Sequence, residues 1–387
     1  MNEIEQLREE RVGLNSIKWS AEKNGELPFW IADMDFKSPD FIARAFAKRA
    51  EANYFGYTQV AATVKPGIVE WYGMRHQISL SESDIILQNG VKSSYVAVLQ
   101  TILQPADAVI LLTPIYPPLI NLAKSLHHEV FESELVRDAA GAYQIDFSQL
   151  EEQIATNTDI KALVICNPHN PIGHAWSKSE LEQLLALAKK YELHVISDEI
   201  HTDLTFVPQE FTSIIEIAAA NDFTDYVVLG SPAKAFNVAG LKASFVISKN
   251  HALLERIDQT AKIYGIDQIS LFGAVLLEAV YTNCAEASGW LDDVLATLKA
   301  NYEYLQVNLK VAPGTLTKMN ATYLAWLKVG DQDSEQVKQL LQTEFLSDCN
   351  SGTAYSGDGV TSLRINFGCP MPMLELLVER LNRALTK

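Results

Sequence analysis

Cysteine is scarce in this chain of 387 residues: there are four, at positions 166, 284, 349 and 369. None forms a C-x-x-C pair, so neither a zinc site nor a disulfide framework is indicated. Such sparing use fits a reducing compartment, the cytoplasm. Cys166 lies in an apolar run and reads as packing, and Cys369 is also expected to be structural. Long hydrophobic runs are missing as well. The most apolar helix candidate, Leu271 to Val280, carries Glu278 and falls short of the ~18 residues that span a bilayer. The opening residues, Met1-Asn2-Glu3-Ile4-Glu5-Gln6-Leu7-Arg8, are charged and lack the apolar centre of a signal peptide. Positive charge is in deficit, with 31 basic against 48 acidic residues and a net charge of −17. Nucleic acid and membrane surfaces are therefore not expected as partners. No basic helix-turn-helix segment, internal repeat or low-complexity linker interrupts the chain.

What is present points to a large folded core. Hydrophobic residues make up 48% of the chain, and the length suits roughly two domains. Apolar, strand-like runs recur at Asp84–Gln88, Ala108–Thr113, Ala162–Cys166, His194–Ser197, Tyr226–Gly230 and Ser244–Ser248. Helical patterns alternate with most of them. Ser177 and Glu180 form a capping-box signature, and Leu181, Leu184, Leu185 and Ala188 then share one helical face. This alternation predicts an α/β fold with a mostly parallel sheet covered on both faces. After Ser248 the pattern changes. Helices are expected at His251–Lys262, Gln268–Tyr281 and Trp290–Leu309. A strand at Thr322–Leu327, a helix at Ser334–Phe345, a strand at Ser362–Phe367 and a helix near Met373–Leu385 follow. That second pattern reads as a smaller α+β domain.

The candidate chemistry sits where strands end. The run Tyr226-Val227-Val228-Leu229-Gly230 leads into Ser231-Pro232-Ala233-Lys234. A lysine just past a strand, with a hydroxyl three residues before it, suits a Schiff base to an aldehyde cofactor whose phosphate Ser231 could bind. The run Leu163-Val164-Ile165-Cys166 leads into Asn167-Pro168-His169-Asn170. The run Leu193-His194-Val195-Ile196-Ser197 leads into Asp198-Glu199-Ile200-His201. Open α/β sheets bind ligands at such carboxyl ends. Asp198 could hold a protonated pyridine nitrogen or simply cap a helix, and Asn170 could reach a ring hydroxyl or simply shape a turn. Gly90-Val91-Lys92 lies between a strand and a helix predicted over Ser93–Leu103, where backbone N–H groups bind anions. Arg364 stands inside an apolar strand, which is costly unless it is paired.

Asn170, Asp198 and Lys234, spaced 28 and 36 residues apart, resemble the fold-type I pyridoxal-phosphate (PLP) enzymes, the aspartate-aminotransferase superfamily. Leu27-Pro28-Phe29-Trp30-Ile31-Ala32-Asp33-Met34-Asp35-Phe36, Phe55-Gly56-Tyr57, Asp198-Glu199-Ile200-His201 and Arg364-Ile365-Asn366-Phe367-Gly368-Cys369-Pro370 resemble its MalY/PatB branch of cystathionine β-lyase-like carbon–sulfur lyases. The resemblance runs from about Pro28 to the C-terminus.

It implies a seven-stranded, mostly parallel large domain and a smaller α+β C-terminal domain. The expected division is an N-terminal segment 1–45 packed with the small domain, a large PLP-binding domain 46–283 and a small domain 284–387. Lys234 would carry the cofactor and shuttle the Cα proton. Asp198 would hold the pyridine nitrogen, Asn170 the ring hydroxyl, and Tyr116 would stack on the ring. Gly90, Val91, Lys92, Ser231 and Lys242 would hold the phosphate, with Tyr57 contributed from a second copy, so that a homodimer shares its active sites. Lys242 stands where most aminotransferases have arginine. His201 replaces the general pattern's tyrosine and would touch either the ring oxygen or a neighbour of it. Arg364 and Ala32 would bind the substrate. The side-chain pocket is expected to draw on Phe29, Trp30 and the loop 264–269. No metal is expected. The implied reaction is β-elimination on an amino acid with a β-thioether. An aminotransferase would use the same residues, and a regulatory PLP-binding protein is the alternative of another class.

Overall fold

The computed structural model describes residues 3–20, 26–207, 211–330 and 332–385. Its centre is a seven-stranded sheet. The strands run in the order Ile85–Gln88, Ser244–Ile247, Tyr226–Gly230, His194–Asp198, Ile160–Cys166, Ala108–Thr113 and Glu129–Glu134. Only Ser244–Ile247 runs antiparallel to its neighbours. It can do so because the connection 231–243 contains no α-helix and simply turns back. Six of the strands match the apolar runs. The seventh, Glu129–Glu134, reads Glu-Val-Phe-Glu-Ser-Glu and lies at the sheet edge. An edge strand needs fewer apolar residues, so its pattern is the least legible.

The central strands are apolar on both faces. Ile110, Leu163, Val195, Val228 and Phe245 face one core, and Leu111, Val164, Ile196, Leu229 and Val246 face the other. This double burial is what a parallel sheet under two helical layers requires. Helix Lys178–Lys190 starts at the predicted box, with Ser177 N donating to Glu180 Oε2 at 2.8 Å and Ser177 Oγ accepting from Glu180 N at 3.3 Å.

Beyond the sheet come helices His251–Ile263, Leu271–Tyr281 and Cys284–Asn308. The last begins ahead of Trp290, because Gly289 is carried inside it at modest cost. Strands Leu324–Lys328, Ser362–Asn366 and Asn350–Ser351 form a small antiparallel sheet. The N-terminal pair Leu27–Pro28 runs parallel to Ser347–Asp348, and Phe29 accepts from Asn366 N at 2.8 Å. Residues 27–28 and 347–348 thus form a two-stranded sheet of their own, and Phe29 is bonded to the end of strand Ser362–Asn366. All four cysteines are buried and free. Among the described residues, no helix is long and apolar enough to cross a membrane.

Candidate active site

Parallel strands deliver their carboxyl ends to one edge of the sheet. Asp198 is the last residue of its strand, opposite Cys166 and Leu229 in register. Its carboxyl is buried and receives only a 3.3 Å bond from Ile200 N. Burial pushes its pKa up to about 6, against the pull of that N–H and of Lys234. Such a carboxylate lacks a strong partner and suits a cationic ring nitrogen.

Lys234 lies in a tight turn after Tyr226–Gly230, where Phe236 N bonds Pro232 O and Val238 N bonds Ala233 O. Its side chain is half-buried, and Nζ donates to Ala32 O at 2.7 Å. Burial, then the nearby Arg364 charge, lowers its pKa to about 8, with Asp33 and Asp198 opposing. A neutral amine is thus within reach near neutral pH.

Arg364, in strand Ser362–Asn366, is buried. Its Nη1 donates to Asn170 Oδ1 at 3.3 Å and its Nη2 to Trp30 O at 2.8 Å. The guanidinium lies over Tyr355, 5.2 Å from the ring centroid. Its buried Nε has no hydrogen-bond partner, and neither has Nδ1 of the buried His201. Burial, with Lys234 and Arg364 nearby, lowers the His201 pKa to about 3, so the imidazole is neutral. Tyr116 is half-buried at the start of helix Pro117–Ser125. Burial and the Asp198 charge raise its phenol to about 12, while Arg364 pulls the other way.

Gly90 caps helix Val91–Ile102 at φ +89, a conformation that favours glycine. A Cβ at Gly90 would lie 3.5 Å from Cβ of Lys242. Two expected anion-binding positions therefore meet here. Lys92 and Lys242 are exposed, and Val91 is half-buried. Ser231 is buried, but its Oγ donates to Ala243 O at 2.6 Å. Its hydroxyl proton is aimed at the turn, which leaves the oxygen to receive Ala233 N at 3.1 Å. Tyr57 stands fully exposed on the isolated chain, beside exposed Tyr54 and Phe55. Phe29 is fully buried in the core, so its ring is a packing residue. Trp30 contributes its carbonyl to Arg364.

Several supporting residues escaped the sequence reading. Asn237 brackets the 32–36 segment: its Oδ1 accepts from Met34 N at 2.8 Å and its Nδ2 donates to Met34 O and Phe36 O. Asn366 Nδ2 donates to Ile31 O at 2.6 Å and Asp33 O at 2.7 Å. Asn350 Nδ2 shares Trp30 O with Arg364 at 2.6 Å. His169 Nε2 pairs with Pro114 O at 2.8 Å, joining the Asn170 loop to the Tyr116 loop. Tyr323 Oη donates to Ala32 O at 3.1 Å. These side chains serve backbone carbonyls far away in the chain.

A lysine, a buried carboxylate and an arginine converge at one sheet edge, and residues 27–381 match the model of the family described as aminotransferase class I and II. The chain belongs to the class I and II aminotransferase family. Within it, this chain is 30% identical over 392 residues to cystathionine β-lyase PatB of Bacillus subtilis strain 168, covering 98% of this chain and 99% of that protein. Cystalysin from Treponema denticola, whose crystal structure contains a pyridoxal 5'-phosphate cofactor, superimposes with a TM-score of 0.90 at 28% identity, covering 97% of each chain. A PLP-bound putative aminotransferase from Clostridium difficile 630 gives 0.89 at 28% identity, with 97% of each chain covered. Class I and II aminotransferases and carbon–sulfur lyases thus share this backbone over nearly its full length.

The residues present fit pyridoxal phosphate. The donor set holds a carboxylate in need of a cation, a lysine with a lowered pKa, and two buried nitrogens, Arg364 Nε and His201 Nδ1, without partners.

Proposed function

We propose that this protein is a PLP-dependent carbon–sulfur β-lyase that converts L-cystathionine or a related cysteine S-conjugate to a thiol, pyruvate and ammonia. The observation that carries the reading is the meeting of Lys234, Asp198 and Arg364 in a chain that matches the carbon–sulfur lyases PatB and cystalysin end to end. Asp198 would hold the ring nitrogen and Asn170 the ring oxygen, with His201 beside it. Tyr116 would stack on the ring. Gly90, Val91, Lys92, Ser231 and Lys242 would hold the phosphate, joined by Tyr57 of the partner subunit in a cytoplasmic homodimer. The reading also divides the chain into a segment 1–45, a cofactor domain 46–283 and a smaller domain 284–387.

Bound there, the cofactor supplies an aldehyde for the substrate amine and a ring that accepts the electron pair released at Cα. The chain's residues do the rest. Arg364 grips the α-carboxylate, with Ala32 beside it, and fixes which Cα bond points at the lysine. Lys234 Nζ, neutral, takes the Cα proton. Asp198 keeps its charge opposite the ring nitrogen. The Cβ–S bond then breaks and sulfur leaves with its electrons. Borohydride reduction followed by peptide mapping should tag Lys234, and L-cystathionine should yield thiol and pyruvate with no keto acid added. A tag on Lys242, or an absolute need for a keto acid, would contradict the lysine assignment or the lyase reading respectively.

A further inference from the structure

The Ala32 carbonyl oxygen carries two donors, Lys234 Nζ at 2.7 Å and Tyr323 Oη at 3.1 Å. A carbonyl oxygen has two lone pairs, so this acceptor is filled. The carbonyl is also rigidly held. Its neighbours Ile31 O and Asp33 O are both bound by Asn366, Lys18 Nζ adds a second bond to Asp33 O at 2.7 Å, and Asn237 clamps Met34.

Tyr323 is itself fixed in place. It is fully buried, and its ring meets His201 edge-on, 6.3 Å between centroids at 74°. The residue before it, Thr322, has a φ of +69, a left-handed conformation that a β-branched side chain seldom adopts. Buried Thr322 is kept there by donating its N–H to Leu204 O at 2.8 Å. Strain of this kind persists only where the surroundings impose it, and it clusters at working sites. Burial holds the Tyr323 phenol far above its ordinary pKa, so it is a donor at every working pH.

We propose that the Ala32 carbonyl is the docking point for the free amine of Lys234, and that Tyr323 is the positioning residue that sets which lone pair the amine uses. This rests on the reading that Lys234 is displaced by the substrate amine and then moves the Cα proton. A displaced lysine on a flexible stem needs a fixed station within reach of Cα. In the transfer the Cα–H bond breaks, its electron pair passes to the cofactor ring, and the proton forms a third N–H bond on Nζ. An ammonium binds a carbonyl more strongly than an amine does, because its donors are charged. The Tyr323 hydroxyl uses part of that acceptor strength and so favours the neutral amine. Without the hydroxyl the ammonium gains, and Lys234 becomes a base only at higher pH.

The test is Tyr323→Phe, which keeps the ring against His201 and leaves Ala32 O with its lysine donor, so the fold is retained. The holoenzyme is mixed with L-alanine in D2O, and loss of the Cα proton is followed by NMR. Alanine has no β leaving group, so the signal reports proton transfer alone. The variant should exchange about 10- to 100-fold more slowly, with the acid limb of the rate profile moved to higher pD and alanine affinity held within about twofold. An unchanged rate and limb would overturn the proposal. So would a slower rate explained wholly by weaker alanine binding and a lower Tm, with the limb unmoved. Failure of the lyase reading would appear separately, in the products formed from a thioether substrate.

Discussion

At the residue scale, the decisive feature is how few charges share the site. Arg364 is the second cause, after burial, of the lowered Lys234 pKa, and its own Nε is free of partners. If Arg364 anchors the substrate as proposed, one side chain would both hold the α-carboxylate and keep Lys234 neutral. Arg364→Gln should therefore do two things at once. Loss of the charged bonds to an α-carboxylate should raise KM by roughly 10- to 100-fold, or about 1.5–3 kcal/mol. Lys234 should also titrate at higher pH, because a repelling charge has gone, so the acid limb of kcat should shift upward. Steady-state kinetics across pH checks both. An unchanged KM would mean that Arg364 does not hold the substrate. The sequence announced Lys234, Asp198, Asn170 and Arg364 as candidates because each breaks a local rule, a charge or amide at the end of or within an apolar run. It could not announce Tyr323, Asn237, Asn350 or Asn366. Their partners are backbone carbonyls, which look the same at every position, and those carbonyls lie 201 or more residues away in all four cases.

At the element scale, the strand ends are held by more than ladder bonds. Glu199 follows Asp198 and is buried. Its carboxyl accepts from Ser197 Oγ at 3.0 Å, Ser213 Oγ at 2.6 Å and Ile214 N at 3.0 Å. It therefore ties the end of strand His194–Asp198 to the start of helix Ile214–Ala220, whose cap is Ser213. Burial pushes the Glu199 pKa up to about 7, against those three donors. The folded state thus keeps a proton that the unfolded chain releases near its ordinary value of 4.5. The group's contribution is full below the unfolded pKa and is lost as pH rises toward 7, by up to about 3 kcal/mol. Glu199→Gln removes that titration. The Tm gap between wild type and variant should be larger at pH 5 than at pH 8, and a constant gap would contradict the assignment. Element legibility followed burial. The doubly buried strands and the capped helix at Lys178 were plain in the sequence, whereas the charged edge strand Glu129–Glu134 was not.

At the scale of the whole molecule, the isolated chain exposes Tyr54, Phe55 and Tyr57 side by side. Exposed aromatics in a row suit burial against another chain. If Tyr57 completes the partner subunit's site, lesions on separate chains should complement. Mixing Tyr57→Phe chains with Lys234→Ala chains gives heterodimers with one intact site and one site carrying both lesions. Activity should rise above that of the Lys234→Ala parent toward half of wild type per heterodimer. A monomer with full activity would end the shared-site account.

The change of pattern after Ser248 was legible, and the long helices and the small antiparallel sheet follow it, but the pairing of residues 27–28 with 347–348 was not, because it spans most of the chain. On the proposed assignment, lyase and aminotransferase would both begin with Lys234, Asp198 and Arg364 in the same roles, so no variant of those residues would separate them. The number of turnovers does. With L-cystathionine and no keto acid, this protein should release homocysteine, pyruvate and ammonia in equal amounts over many turnovers per active site. A halt after about one turnover, relieved only by adding a keto acid, is what transamination requires and would contradict the account.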